Sequence, residues 1–160
     1  MNENINYLAQ MLGNKLLAKG WKISCAESCT GGGVGYAITS TSGSSAWFEK
    51  GFITYSNHAK QELLGVSEYT LNQHGAVSAS TVEEMAEGAA KHANAEVAIA
   101  ISGVAGPDGG TADKPVGTVW FGFFIDGQII SQKRLIHGDR QAIRIEAIEF
   151  ALSNTLLLLK

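Results

Sequence analysis

Apolar residues recur at helical spacing at Ile5, Leu8, Leu12 and Leu16, and Gly20 follows where such a helix stops. The pattern predicts an amphipathic helix over residues 3–19. Trp21–Ala26 then reads as a strand. The β-favouring run Gly51–Tyr55 leads into a short helix over Asn57–Leu64, with Asn57 as the expected N-cap and Gly65 as the terminator. Ser80 and Glu83 form a capping-box pattern for a helix through about His92. The β-branched run Val97–Ile101 reads as a strand buried on both faces and empties into the glycine-rich stretch Gly103–Gly110.

Asp126-Gly127 between Thr118–Ile125 and Gln128–Ile136 is a strong two-residue hairpin signal. The last helix, from about Arg140 to the end, carries Ile145, Ile148, Leu152, Leu156 and Leu159 on one stripe. Alternating helices and strands give parallel pairs, while the hairpin adds an antiparallel one. The expectation is a single three-layer α/β domain with a mixed sheet, spanning residues 1–160, with no repeat or linker.

Composition narrows the function classes. A chain of 160 residues can bury a core without disulfides or a structural metal, and 45% hydrophobic against 17% charged residues excludes a disordered chain. The net charge of −3 lacks the basic balance of a dedicated nucleic-acid binder. No apolar run approaches bilayer length, Val119–Ile125 being among the longest, so no membrane span is expected. Met1–Leu17 has no basic n-region or continuous apolar run, which argues against a signal peptide and for a cytoplasmic location. Cys25 and Cys29 are expected to be reduced and to serve packing.

Candidate chemistry gathers at the carboxyl ends of strands, where ligands collect in open α/β sheets. Glu27-Ser28-Cys29-Thr30-Gly31-Gly32-Gly33 follows the first strand and precedes Val34–Thr39, which reads as helical. Ser28 at that turn would expose its hydroxyl beside backbone N–H groups freed by glycine; the segment reads equally as a simple helix cap. Glu27 reads as a local hydrogen-bond acceptor. Lys60, in the first turn of the next helix, would have its pKa lowered by the helix dipole and could act as a general base, or could be an ordinary exposed lysine. Tyr55 would relay a proton or pack. Ser102–Gly110 leaves a third strand with a glycine density that suits either ligand approach or a plain turn. Arg140 and Arg144 sit one helical turn apart, able to face a phosphate or carboxylate, or only solvent.

Other motifs fail. Gly31–Tyr36 lacks the third glycine of a dinucleotide-binding fingerprint, no Walker loop occurs, and His58, His74, His92 and His137 form no zinc pattern.

Taken in order, Ala26–Gly32, Gly43–Asn57, Gln73–Ser78, Ser102–Gly110, Lys114–Trp120 and Gly138–Arg140 resemble the CinA C-terminal domain family across nearly the whole chain. The resemblance implies a three-layer α/β/α sandwich and hydrolysis of nicotinamide mononucleotide to nicotinic acid mononucleotide and ammonia, within pyridine nucleotide recycling. It implies Ser28 as nucleophile, Lys60 as general base and Tyr55 as an assisting hydroxyl. Thr30, Gly31, Gly32, Ser45, Ser102, Gly103 and Gly106 would line the substrate site, and Arg140, with Arg144 as second choice, would hold the phosphate. No metal or cofactor is implied, and a homo-oligomer, most simply a dimer, is. The rival reading from another class is a non-catalytic nucleotide-binding or regulatory module.

Overall fold

A computed structural model describes residues 1–160. Its elements in chain order are α1 (Glu3–Lys19), β1 (Ile23–Glu27), α2 (Gly33–Thr39), a single 3-10 turn over Ser44–Ala46, β2 (Phe52–Ile53), α3 (Asn57–Leu64), α4 (Glu68–His74), α5 (Ala79–Ala93), β3 (Val97–Gly103), β4 (Thr118–Ile125), β5 (Gln128–Leu135) and α6 (Arg140–Leu158). The strands form one sheet in the order β2-β1-β3-β4-β5. β1 runs parallel to β2 and β3, whereas β3-β4-β5 is antiparallel. The expected mixed sheet is present, with α1, α2 and α6 over one face and α3, α4 and α5 over the other.

Local chemistry sets the element ends. Asn2 caps α1 by accepting from Ile5 N, and Gly20 ends it at φ 68°. Asp126 and Gly127, at φ 44° and 94°, make the predicted hairpin turn with both central residues left-handed, as its geometry requires. The N-caps of α3 and α5 are Ser56 and Ser78, which accept from Ala59 N and Thr81 N, in place of the expected Asn57 and Ser80. In both cases several cap-competent residues lie side by side, and the serine just before the helix has the extended backbone that a cap needs. Glu83 does not close a capping box; it accepts from the Ser131 hydroxyl of β5. α4, capped by Ser67, has no counterpart among the predicted elements. On α6 the buried face centres on Ile143, Ala147, Ile148, Ala151 and Leu152, leaving Ile145 and Leu156 at its margin. Two alanines and a threonine complete that face, which a count of large apolar residues misses.

The sheet separates two unlike cores. Ile23, Cys25, Val97, Ile99, Ile101, Phe121 and Phe123 point to the α1/α2/α6 side, where 25 buried residues form the larger cluster. The alternate positions Ala26, Ala98 and Ala100 meet α5 in a cluster of 11 buried residues, most of them small. Gly122 belongs to this second face too, since a Cβ there would strike the Val82 carbonyl of α5. Alternation along β1 and β3 therefore also fixes where the polar residues at their carboxyl ends point. Glu27 faces α2; Ser28 and Ser102 face the α3–α5 layer.

Candidate active site

From β1 the chain turns up through α2 on one face, and from β2 it turns down through α3 on the other. A crevice opens between those diverging connections, at the strand carboxyl ends. Ser28 lies at its floor, 8% exposed, with its N–H held by the Ile101 carbonyl of β3. Lys60 reaches the same point from α3 and is only 1% exposed, which excludes the reading of an ordinary surface lysine.

Lys60 Nζ lies 3.1 Å from Ser28 Oγ, 2.9 Å from the Thr54 carbonyl and 3.4 Å from the Tyr55 carbonyl. A neutral amine has two N–H bonds and one lone pair. When the two carbonyls accept those protons, the lone pair is left facing the serine hydroxyl. Burial pushes the Lys60 pKa down from 10.5 to about 8. The expected lowering is present, but its leading cause is desolvation in a packed layer rather than the helix terminus. A buried amine that titrates near neutrality, in contact with a hydroxyl, is equipped to remove that hydroxyl's proton. Cys29, the next residue, is no competing nucleophile: burial pushes its thiol up to about 11.

The turn that carries Ser28 is gripped from both sides. Glu27, 1% exposed, accepts from Thr30 Oγ1 at 2.6 Å, Val34 N at 2.8 Å and Gly35 N at 2.9 Å, so it is the acceptor the sequence suggested and ties the turn to the start of α2. Arg144 of α6 donates to the Cys29 and Thr30 carbonyls at 3.0 and 3.3 Å. Gly31 (φ 59°) and Gly32 (φ 104°) are both left-handed, and a Cβ on Gly31 would press on the Arg144 guanidinium.

A cavity of about 210 Å³ opens over the pair, lined among others by Ser28, Tyr55, Asn57, Lys60, Ser102, Gly103 and Arg140. Beyond Arg140 lies a larger cleft of about 410 Å³, lined by Met1, Thr30, Gly33, Arg140, Gln141, Arg144, Ile145 and Ile148. Arg140 thus stands between the two. Its guanidinium donates to the Gly106 carbonyl at 2.8 Å and to the Tyr55 phenol at 3.2 Å, and neither arginine has a carboxylate partner. The Tyr55 phenol is engaged with Arg140; what this residue offers Lys60 and Ser28 is its main-chain carbonyl. Gly106 comes to the site through that carbonyl contact with Arg140.

Ser45 is not brought to the crevice. It is exposed in the 3-10 turn that leads to Trp47, whose carbonyl accepts from Ile23 N at the opposite end of β1. That turn serves packing: Trp47 is 2% exposed and lies against Gly13 of α1. Sequence reasoning also missed the Thr54 and Tyr55 carbonyls and the place of Asn57 on the cavity wall. Main-chain acceptors leave no trace in residue identity, and Asn57 was absorbed by its expected role as a cap.

A serine in contact with a buried lysine, at the carboxyl ends of parallel strands in an α/β/α domain, has the arrangement that nucleophilic chemistry of the Ser/Lys type requires. Residues 5–159 match the family model described as CinA C-terminal domain, and the chain belongs to that family. It is 56% identical to the nicotinamide-nucleotide amidohydrolase PncC of Enterobacter agglomerans over 96% of this chain and 94% of that protein. With PncC of Pseudomonas putida the identity is 48%, covering 96% of each. Among solved structures, a competence/damage inducible protein CihA from Agrobacterium tumefaciens superimposes with a TM-score of 0.96 at 38% identity, covering 100% of this chain and 98% of that one. A CinA superfamily protein from Klebsiella pneumoniae gives 0.94 at 39% identity, covering 99% and 98%.

Proposed function

We propose that this protein is a nicotinamide-nucleotide amidohydrolase that cleaves the carboxamide of nicotinamide mononucleotide with Ser28 and Lys60, in pyridine nucleotide recycling. The observation that carries this reading is the 3.1 Å contact between Ser28 Oγ and a buried lysine whose pKa is lowered to about 8. The names of its high-identity relatives supply the substrate.

The neutral Lys60 amine takes the Ser28 proton as Oγ attacks the carboxamide carbon. The resulting ammonium passes a proton to the amide nitrogen, the C–N bond breaks, and ammonia leaves an acyl-serine ester. Lys60, neutral again, then draws a proton from water, and the ester opens to the carboxylic acid with Ser28 restored. Water is consumed and one ammonia released per turnover. The 210 Å³ cavity accepts the amide-bearing ring, and Arg140 stands at its mouth with an unpaired charge for the nucleotide phosphate. Tyr55 braces that arginine, while Ser102 and Gly103 line the wall beside Ser28. The exposed apolar side chains of Ile53 and Tyr55, at the β2 edge, offer surface for the second copy of a homodimer.

The test is ammonia release from nicotinamide mononucleotide by purified, chelator-treated protein, with the acid product identified chromatographically and Ser28→Ala alongside. Turnover that disappears in the variant is expected. A folded wild-type protein that binds the nucleotide without releasing ammonia would make this a binding module instead.

A further inference from the structure

Arg144 lines the cleft beyond Arg140 and presents itself as a second group for the substrate's phosphate. Its hydrogen bonds point elsewhere. Nε and Nη2 are spent on two successive carbonyls, Cys29 and Thr30, in the turn that carries the nucleophile, 115 and 114 residues away in sequence. Gly31 leaves the room the guanidinium needs. In a trans peptide the carbonyl and the N–H of the same unit point in opposite directions. Holding the Cys29 carbonyl toward α6 therefore directs the Thr30 N–H away from it. That N–H has no acceptor within the protein, although Thr30 is 1% exposed.

We infer that Arg144 is a positioning residue for Ser28: it fixes the Cys29–Thr30 and Thr30–Gly31 peptides that follow the nucleophile, and with them the turn whose N–H groups serve the oxyanion of the tetrahedral intermediate. The inference rests on the reading of the site as a serine amidohydrolase and changes the role of one residue in it. A fork of two N–H groups on adjacent carbonyls suits arginine and not lysine, whose ammonium is a single point of attachment. Glu27 grips the turn from the other side through the Thr30 hydroxyl and the start of α2, so loss of Arg144 releases only the Cys29 and Thr30 carbonyls and leaves the rest of the turn tied.

The experiment compares Arg144→Gln and Arg144→Lys with wild type on two substrates, nicotinamide mononucleotide and the phosphate-free nicotinamide riboside. A group that binds phosphate affects the nucleotide alone. A group that positions the nucleophile affects both by the same factor, in kcat and not in KM. The expected result is a fall in kcat of about 100-fold for Arg144→Gln with either substrate, a smaller fall for Arg144→Lys, and KM unchanged within about threefold. A loss confined to the nucleotide, or carried by KM, overturns the inference, as does full kcat in Arg144→Lys. Labelling of Ser28 by phenylmethanesulfonyl fluoride, followed by mass spectrometry, reads the turn independently of any substrate. Slower labelling in folded Arg144→Lys is expected, and an unchanged rate contradicts the inference. If wild type releases no ammonia from either substrate, the proposed function fails, while the labelling rates still decide the role of Arg144.

Discussion

The two faces of the sheet are built differently and serve different ends. On the α1/α2/α6 side, large side chains such as Leu12, Ile99, Phe121, Phe123 and Leu152 fill a thick layer. On the α3–α5 side, Ala26, Ala86, Ala89, Ala98 and Ala100 let α5 lie close to the strands, and Gly88 touches the Leu64 carbonyl of α3 so closely that a Cβ would not fit. The thin face carries the candidate site: Ser28 and Ser102 point toward it, and Lys60 enters from it. The thick face carries the restraints, Glu27 and Arg144, that hold the turn bearing Ser28. The short helix α3 packs closely on this thin layer and brings the Lys60 amine to the end of β1, so the small core and the buried lysine go together.

Loss of either member of the pair gives the largest effect. Ser28→Ala and Lys60→Ala are each expected to lower kcat for ammonia release by at least about 1,000-fold while the fold persists, and the double variant should be little worse than either single one. Steady-state kinetics with circular dichroism checks this; additive losses would mean that the two groups act separately. Next come the cores, where the two faces should respond in opposite senses. Phe121→Ala on the thick face leaves a cavity and is expected to cost about 3–5 kcal/mol in denaturant unfolding. On the thin face the damaging change is enlargement: Gly88→Ala forces α3 away from α5 and should cost about 2–3 kcal/mol while displacing Lys60 and lowering kcat. A Gly88→Ala protein with wild-type stability and turnover would break the link between thin packing and catalysis.

The smallest effect has a distinctive sign. The Lys60 pKa falls from its ordinary value of 10.5 to about 8 in the folded protein. Between those values the unfolded chain binds more protons, so stability rises with pH across that window and the penalty stands in full below it. Lys60→Met removes the penalty. It is expected to stabilise the protein by about 1–3 kcal/mol at pH 7, with the gain shrinking toward pH 10, while activity is lost. Urea melts at several pH values test this, and equal stability of the two proteins at pH 7 would argue that the buried amine carries no desolvation cost.

Much of this was legible in the chain. The hairpin, α1 and the buried strand β3 each rest on a local signal, and the glycines after Ser28 mark a turn whose backbone is in fact left-handed. Family resemblance placed Ser28 and Lys60 together, and the fold supplies the reason in the crevice between β1 and β2. The misses share a physical origin. Ser56 against Asn57 and Ser78 against Ser80 are choices between residues one or two apart of similar capping ability, settled by which of them has the extended backbone that a cap needs. Ser45 stands in a motif whose neighbours pack Trp47, so its string is informative for folding rather than for the site. The grip of Arg144 on the Cys29 and Thr30 carbonyls spans 115 residues and uses main-chain acceptors, for which periodicity and composition have no signal.

The most direct test of the account is the pH dependence of kcat/KM for ammonia release from nicotinamide mononucleotide. If neutral Lys60 is the base that activates Ser28, about one molecule in ten is competent at pH 7, and kcat/KM should rise nearly tenfold and level off above a pKa of about 8. A profile flat from pH 6 to 9 in a protein that still requires Ser28 would contradict the central claim that the buried lysine is the base.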